Sequence, residues 1–520
     1  MNTFNEQVGN ARMVGTPIIA VRTFDAMESV RAIRLAIANE QPRNFVQWDI
    51  VRGLYEFVPN GMDALIPLLA ELAKGRPESF VMPDMALKAM ALIPDAKSPE
   101  AVFVMHNLHL AWHNPAVIQA LWNIRDVFKT NGCTLVILTL PGMNLPKEIA
   151  SDVYVIDQPL PTVTDIERLT VDAFRNLGVS APTEEQTKRA NDALIGLPSF
   201  AVEQSLAMCI KPDANGSGVI DYSALWGRKR ETINSTPGLT MYETTDGLEA
   251  LGGLANIKAF VSSVMSGKDA PRMVVFTDEI EKGTAGFGTD SSGTKTDLVG
   301  ELLQWTTRRD VDGLAFMGVQ GSGKTAIAQC IAHEHSIPCI GLNIAAMQDK
   351  HVGESTAKLR HALATIDAQA GRVLWIVTSN NFAALPSELR DRFQLGQFFF
   401  DLPTTEERQS IWHLYIKKYN INMENQTLPS AEGWNGRNIR ECVKKASRFD
   451  ISLTKAARYT VPIAVSAPDV LQRLRAESKD KYLSASYDGH YNGSQYPTTA
   501  PAETDSSEPT RTRKVRSTVN

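Results

Sequence analysis

GVQGSGKT, Gly318 to Thr325, is a glycine-rich loop ending in Lys-Thr. It satisfies G-x-x-x-x-G-K-[ST] in full, follows a strand-like run, LAFMGV (from Leu314), and opens a helical stretch, AIAQCIAHEH (from Ala326). Random composition yields this pattern only about 0.02 times in a chain of this length. Glycines in such a loop let the backbone wrap phosphates, with its N–H groups aimed inward at a helix N-terminus. Gly318, Gly321, Ser322, Gly323, Lys324, Thr325 and Ala326 are therefore the candidate nucleotide-binding residues. Lys324 places a cation near the β- and γ-phosphates, and Thr325 offers its hydroxyl to Mg²⁺.

A phosphate-binding loop that hydrolyses its ligand needs a carboxylate on a neighbouring strand. MVVFTDEIEK, from Met273, supplies one: an apolar run that ends in Asp278 and Glu279. Asp278 suits the metal shell, and Glu279 suits the polarisation of an attacking water. After VLWIVT (from Val373) come Thr378, Ser379, Asn380 and Asn381, at the end of another strand, where ligand sites of open parallel sheets gather. Asn380 is the candidate there for holding the water or the γ-phosphate. Downstream, LRDRF carries Arg390 and Arg392, and GRNIRE carries Arg437 and Arg440.

The surrounding 520 residues are too many for one core. Apolar runs at PIIAVR, AVFVMH, TLVILT, MVVFTD, LAFMGV and VLWIVT alternate with amphipathic stretches, the pattern of α/β architecture with parallel sheets. The formal net charge of −5 gives no overall attraction to nucleic acid or anionic membrane. Five scattered cysteines without a CxxC point to free thiols in a reducing compartment. With no signal-like start and no apolar run long enough to span a bilayer, the expected location is cytoplasmic. KPDANGSG (from Lys211) reads as a loop, and WGRKRETINSTPG (from Trp226) reads as a polar domain junction. The chain from about Tyr482 turns polar and ends in RTRKVR, and it reads as disordered.

Together GVQGSGKT, FTDEIEK, VTSNN, LPSELRDRF and FFFDLP resemble Walker A, Walker B, sensor 1, the arginine-finger segment and the last core strand of AAA+ ATPases. DGLEALGGLANIK resembles the linker that opens such a module, and HVGESTAKLR resembles its pore-loop segment. The wording is similar to the uncharacterised AAA ATPases of cyanobacteria and plastids, which carry a degenerate N-terminal half; QWDIVRGL (from Gln47) and VIDQPLPT (from Val155) resemble that half. The resemblance implies ATP and Mg²⁺ as cofactors, Glu279 and Asn380 as catalytic residues, Arg390 and Arg392 as finger arginines, and Arg437 as a sensor-2 arginine with Arg440 as the alternative. It also implies a homo-oligomeric ring.

One feature departs from that family. Its Walker B lies between the pore-loop helix and sensor 1, whereas FTDEIEK precedes GVQGSGKT by about 40 residues. A whole strand-plus-helix unit has moved upstream. Every strand still enters the sheet at the same edge, and the crossovers keep their directions, so the core can reassemble in the family's spatial order 5-1-4-3-2. That places MVVFT beside VLWIVT, on the side away from LAFMGV.

The N-terminal half shows no such chemistry. AVFVMHNLHL has His106 and Asn107 where Asp-Glu would stand, TLVILTLPG has Leu140 and Pro141 where a sensor would stand, and no GK[ST] precedes residue 318. His106 and His109 are read as structural. TLVILTLPGMNLPKEIASDVYVIDQPLP and VLWIVTSNNFAALPSELRDRFQLGQFFFDLP, about 240 residues apart, share a strand, a Leu-Pro-x-Glu turn and a second strand, as a duplication would.

The expected fold class is therefore α/β: a P-loop NTPase core of the AAA+ type, with a parallel sheet in permuted βα order and a helical lid, preceded by a degenerate AAA- or RecA-like domain. The expected boundaries are 1–160 for the degenerate domain, 161–245 for a helical lid-like segment and linker, 246–403 for the permuted core, 404–475 for the lid and 476–520 for a disordered tail. The expected function is Mg-dependent ATP hydrolysis by a machine that remodels a protein client. The alternatives are a nucleic-acid-linked factor of the replication or helicase-loader type, which composition does not support, and a slow nucleotide-dependent scaffold. His351, Val352 and Gly353 stand where a pore loop carries an aromatic residue, and they lack it.

Overall fold

The computed structural model describes residues 3–37, 45–56, 80–96, 101–213, 216–243, 245–284, 294–347, 354–369, 371–424 and 426–496. Two compact units emerge, one of residues 1–250, 261–317 and 324–397, the other of residues 251–260, 318–323 and 398–520.

The first unit opens with β1 (Ile18–Arg22), β2 (Phe45–Asp49), β3 (Gly53–Glu56), β4 (Val102–His106), β5 (Thr134–Thr139) and β6 (Tyr154–Asp157). They lie in the order β3-β2-β4-β5-β1-β6. The β2–β3 pair is an antiparallel hairpin, and the other pairings are parallel. Alternate side chains feed two cores, as the period of a strand requires. Phe103 and Met105 join Trp48, Leu121 and Phe128 on one face; Val102 and Val104 join Phe4, Val21 and Ile33 on the other. Burial on both faces is why β1, β4 and β5 read as apolar runs.

Four helices, Val163–Asn176, Glu184–Leu194, Ser199–Cys209 and Tyr222–Asn234, follow with a short antiparallel hairpin, β7 (Ile210–Pro212) and β8 (Gly218–Ile220). They share a core of Ile166, Phe174, Leu194, Leu206 and Leu225. Two expectations change here. The start and end of KPDANGSG belong to the hairpin, not to a plain loop. The supposed junction WGRKRETIN is helix, because Leu225, Lys229 and Ile233 recur four residues apart and are buried along one face.

Lys229 is the unusual member of that face. It is 1% exposed, its Nζ donates to the Asp192 carbonyl at 3.3 Å, and it lies 5.1 Å from the Trp226 ring centroid. Burial pushes its ammonium down to about 7. Between that value and the ordinary lysine value of about 10.4, the unfolded chain binds more protons than the folded one, so stability rises with pH through this window. Lys229→Met is expected to add about 1–3 kcal/mol near pH 7 and to flatten that rise. Hydrogen exchange of helix Tyr222–Asn234 from pH 7 to 9.5 measures both effects.

The rest of the first unit carries β9 (Leu239–Met241), β10 (Met273–Thr277), β11 (Asp312–Gly318), β12 (Cys339–Leu342) and β13 (Val373–Ser379). Their order is β11-β13-β10-β12-β9, parallel except for the edge strand β9, which runs antiparallel to β12. MVVFT thus lies beside VLWIVT on the side away from LAFMGV, as the permuted order requires. The N-terminal sheet supplies the comparison within the same chain. Its β1-β5-β4-β2 and the second sheet's β11-β13-β10-β12 are one spatial arrangement. The N-terminal half visits those places as first, last, third, second; the later half begins with the third. The two similar sequence stretches contribute β5 and β13, which occupy the same place in the two sheets.

In the second unit, β14 (Gly396–Phe400) pairs in parallel with β15 (Leu483–Ser484). Beside them a helical core of Ile411, Trp412, Trp434, Ile439, Val443 and Leu453 joins helices Thr405–Lys418, Gly436–Phe449 and Leu453–Ala457. Here the expectation of a disordered tail from residue 476 is corrected for residues 476–496. Tyr491 is fully buried, its ring 4.5 Å from that of Phe399, and its hydroxyl donates to Asp401 at 2.7 Å. Asp401 also accepts from Arg475 Nε at 3.0 Å. One anchored aromatic and a shared carboxylate order a segment whose polar composition alone reads as unfolded. Residues 497–520, including RTRKVR, lie outside the described residues, as do His351, Val352 and Gly353.

Candidate active site

In the first unit, β13 delivers the polar run and β10 delivers the acidic pair. Because β10 and β13 are neighbours in register from Met273 opposite Val373 to Thr277 opposite Val377, residues one step further along each strand meet. Thr378, fully buried, donates its hydroxyl proton to Asp278 Oδ1 at 2.5 Å. The same hydroxyl accepts the Glu279 backbone N–H at 2.9 Å. Glu279 has a left-handed backbone, φ 46°, and the Thr378 bond fixes that turn.

Asn380 then connects the charged groups. Its Nδ2 donates to Glu279 Oε1 at 3.0 Å, and its Oδ1 accepts from Lys324 Nζ at 3.5 Å. Its own backbone N–H donates to Glu281 Oε1 at 2.9 Å. Lys282 forms an ion pair with Glu279. Lys324 begins helix Lys324–Glu334 and is 7% exposed, whereas Thr325 beside it is exposed. Lys324, Asp278, Glu279 and Asn380 are therefore brought together, although 102 residues separate Asp278 from Asn380 in the sequence.

Arg390 ends the short helix Ser387–Arg390 and is half-buried; Arg392, just beyond it, is exposed. Neither makes a side-chain bond to Asp278, Glu279 or Lys324 among the described contacts.

The second unit holds the glycine loop. At Gly318, φ is 138° and a Cβ would stand 2.1 Å from the Phe400 carbonyl oxygen, so no larger residue fits. At Gly321, φ is 76° and a Cβ would press on Asn435 Nδ2 at 2.7 Å and on Arg437 Cβ at 2.8 Å. Ser322 does not point its hydroxyl outward: Oγ donates to the Val319 carbonyl at 2.8 Å and closes the turn. Arg437 lies against the loop, its backbone N–H donating to the Gly321 carbonyl at 3.3 Å. Arg440, a turn further along the helix, pairs with Glu441 at 3.2 Å. Of the two sensor-2 candidates, the structure sets Arg437 beside the loop.

Three residues that sequence reasoning passed over take part. Asn435, 2% exposed, caps helix Gly436–Phe449 and donates through Nδ2 to the Gln320 carbonyl at 2.7 Å. Its signal was the capping pattern Asn435 to Asn438. Glu281 and Lys282 flank the acidic pair, and only the β10–β13 pairing shows what they touch.

Residues 6–158 match the family described as SpoVK-like AAA ATPase, N-terminal domain, and residues 314–376 match the family AAA, ATPase family associated with various cellular activities. The chain carries AAA ATPase domains. The second match begins in β11 and ends in β13, so the displaced strand Met273–Thr277 lies upstream of it. An uncharacterized AAA domain-containing protein, ycf46, of Trieres chinensis is 23% identical over 85% of this chain and 88% of its own length. The ycf46 protein of Guillardia theta is 21% identical over 77% of this chain and 78% of its own. A crystal structure of the FIGL-1 AAA domain shares 15% identity, covers 48% of this chain and 94% of its own, and superposes with a TM-score of 0.31. The AAA match supports nucleotide binding by the later half of the chain. Among the described residues no helix is long and apolar enough to cross a membrane.

Proposed function

We propose that the chain is a Mg-dependent ATP hydrolase of the AAA+ type that works as a homo-oligomer on a protein client. The observation that supports this reading best is the bridge by Asn380 from Lys324 to Glu279, beside an Asp278 held by Thr378. In the ATPase site so proposed, Gly318, Gly321, Ser322, Gly323 and Ala326 offer backbone to the phosphates, and Lys324 offsets their charge. Thr325 and Asp278 present hard oxygen donors, the kind Mg²⁺ takes when it keeps most of its water and phosphate ligands. Bound there, Mg²⁺ neutralises charge that develops on the phosphate oxygens.

The chain's own groups do the rest. Glu279 accepts the proton of the attacking water, while Asn380 fixes that carboxylate through Nδ2 and positions Lys324 through Oδ1. Arg437 acts from the lid helix of its own chain, and Arg392, with Arg390, acts on a neighbouring subunit. His351, Val352 and Gly353 stand at the pore-loop position without the aromatic residue of a peptide-threading pore.

Lys324→Ala tests the site directly. It is expected to abolish ATP binding in an equilibrium measurement, since a buried cation that faces the β- and γ-phosphates is lost. Wild-type affinity in that variant would sink the assignment.

A further inference from the structure

The N-terminal sheet has the spatial order of the ATPase sheet, so its own loop between first strand and first helix can be compared with the glycine loop. Thr23, Phe24 and Asp25 stand there, between β1 and helix Ala26–Ile37. Asp25 Oδ1 accepts the Glu28 N–H at 3.0 Å, as the cap of that helix. Asp25 Oδ2 accepts the Phe200 N–H at 3.0 Å, from 175 residues away. Phe200 lies in the first turn of helix Ser199–Cys209, whose cap position is Pro198 and has no side chain able to accept. The first N–H groups of a helix have no partner within it, and here the distant carboxylate serves one of them.

Two helix N-termini of 12 and 11 residues thus converge on one anionic group. Their partial positive charges favour an anion at that point, the same electrostatics that hold a phosphate. The main chain of Asp25 is pinned as well: its N–H donates to Thr23 Oγ1 at 2.9 Å, and its carbonyl accepts from Ser29 Oγ at 2.8 Å. Beside it a cavity of about 130 Å³ remains, lined by the carboxylates of Glu28, Asp165 and Glu203 and by Arg31 and Arg168. Small-molecule pockets run to about 300–1,000 Å³. This cavity is too small for a nucleoside triphosphate, and its two arginines are already paired, Arg31 with Glu28 at 3.2 Å and Arg168 with Asp165 at 3.9 Å.

We infer that Asp25 is a built-in substitute for a nucleotide phosphate, and that it holds helix Ser199–Cys209 closed on the N-terminal sheet without any ligand. The N-terminal module is then a permanently closed body that neither binds nor releases nucleotide. This inference is independent of the ATPase reading of the later half.

The test uses the full chain with Lys324→Ala, so that the glycine loop does not compete for anions. Adding Asp25→Ala should speed hydrogen exchange in peptides covering residues 199–206 by 10-fold or more. Inorganic phosphate at constant ionic strength should reverse most of that change, and should leave the Lys324→Ala parent unaffected. If Asp25→Ala does not accumulate folded, Asp25→Asn, which keeps the shape but not the charge, carries the same comparison. Unchanged exchange, or exchange that phosphate does not slow, would overturn the inference. So would two nucleotides bound per chain in the protein with Lys324 intact; one or none agrees with it.

Discussion

Glu279→Gln is expected to bind ATP as tightly as the unaltered chain and to hydrolyse it about 10²–10⁴-fold more slowly. The amide keeps the size of the side chain, and its oxygen still accepts from Asn380 Nδ2, which now donates at 3.0 Å. Asp278 and Thr378 are untouched, so the proposed metal ligand stays in place. What disappears is the carboxylate proposed to take the proton from water. The ion pair with Lys282 goes too, but Lys282 is largely exposed, and such pairs contribute about 0–1 kcal/mol. A steady-state assay alongside an ATP-binding measurement separates the two effects. A wild-type rate would show that the acidic pair ahead of the glycine loop is not the hydrolytic one, and would remove the catalytic reading of the displaced strand.

Arg392→Ala should cost turnover even more, about 10³–10⁵-fold if the arginine completes a neighbour's site as it does in related NTPases. Arg392 is exposed beyond the helix Ser387–Arg390, and Arg390 is half-buried behind it. Mixing discriminates between action within a chain and action across chains. Arg392→Ala and Lys324→Ala are each expected to be inactive alone, yet a mixed assembly contains interfaces with an intact Lys324 on one side and an intact Arg392 on the other. Activity should therefore reappear in mixtures and peak near equal proportions. Mixtures shown to co-assemble, with no recovery at any ratio, would establish that each chain completes its own site and would remove the main support for a ring.

Much of this was legible in the sequence because it is local. A strand buried on both faces must be apolar throughout, so MVVFT, LAFMG, VLWIVT and TLVILT announce themselves. The glycine loop is legible for the same reason: φ 138° at Gly318 and the lack of room for a Cβ leave a residue-type signature at a fixed spacing before Lys324 and Thr325. Even the displaced strand could be placed, because the resemblance to AAA+ ATPases supplies a sheet order and moving a whole βα unit keeps the handedness of its connections.

Features that depend on partners far along the chain were not legible in this way. Polar composition made residues 476–496 look unfolded, and the pairing of β15 with β14 and the burial of Tyr491 against Phe399 overrode it. A basic stretch, GRKR, looked like a junction until the helix Tyr222–Asn234 buried Lys229. Asp25 reads as an ordinary helix cap, and nothing in its neighbourhood announces Phe200 as the second donor. That Arg437 lies against the glycine loop, and Arg440 against Glu441, is visible only from the contacts the fold makes. The physical reason is common to all four. Propensity and periodicity register what a residue prefers among its neighbours in sequence, whereas burial and hydrogen-bond satisfaction are set by whichever group the fold brings to it.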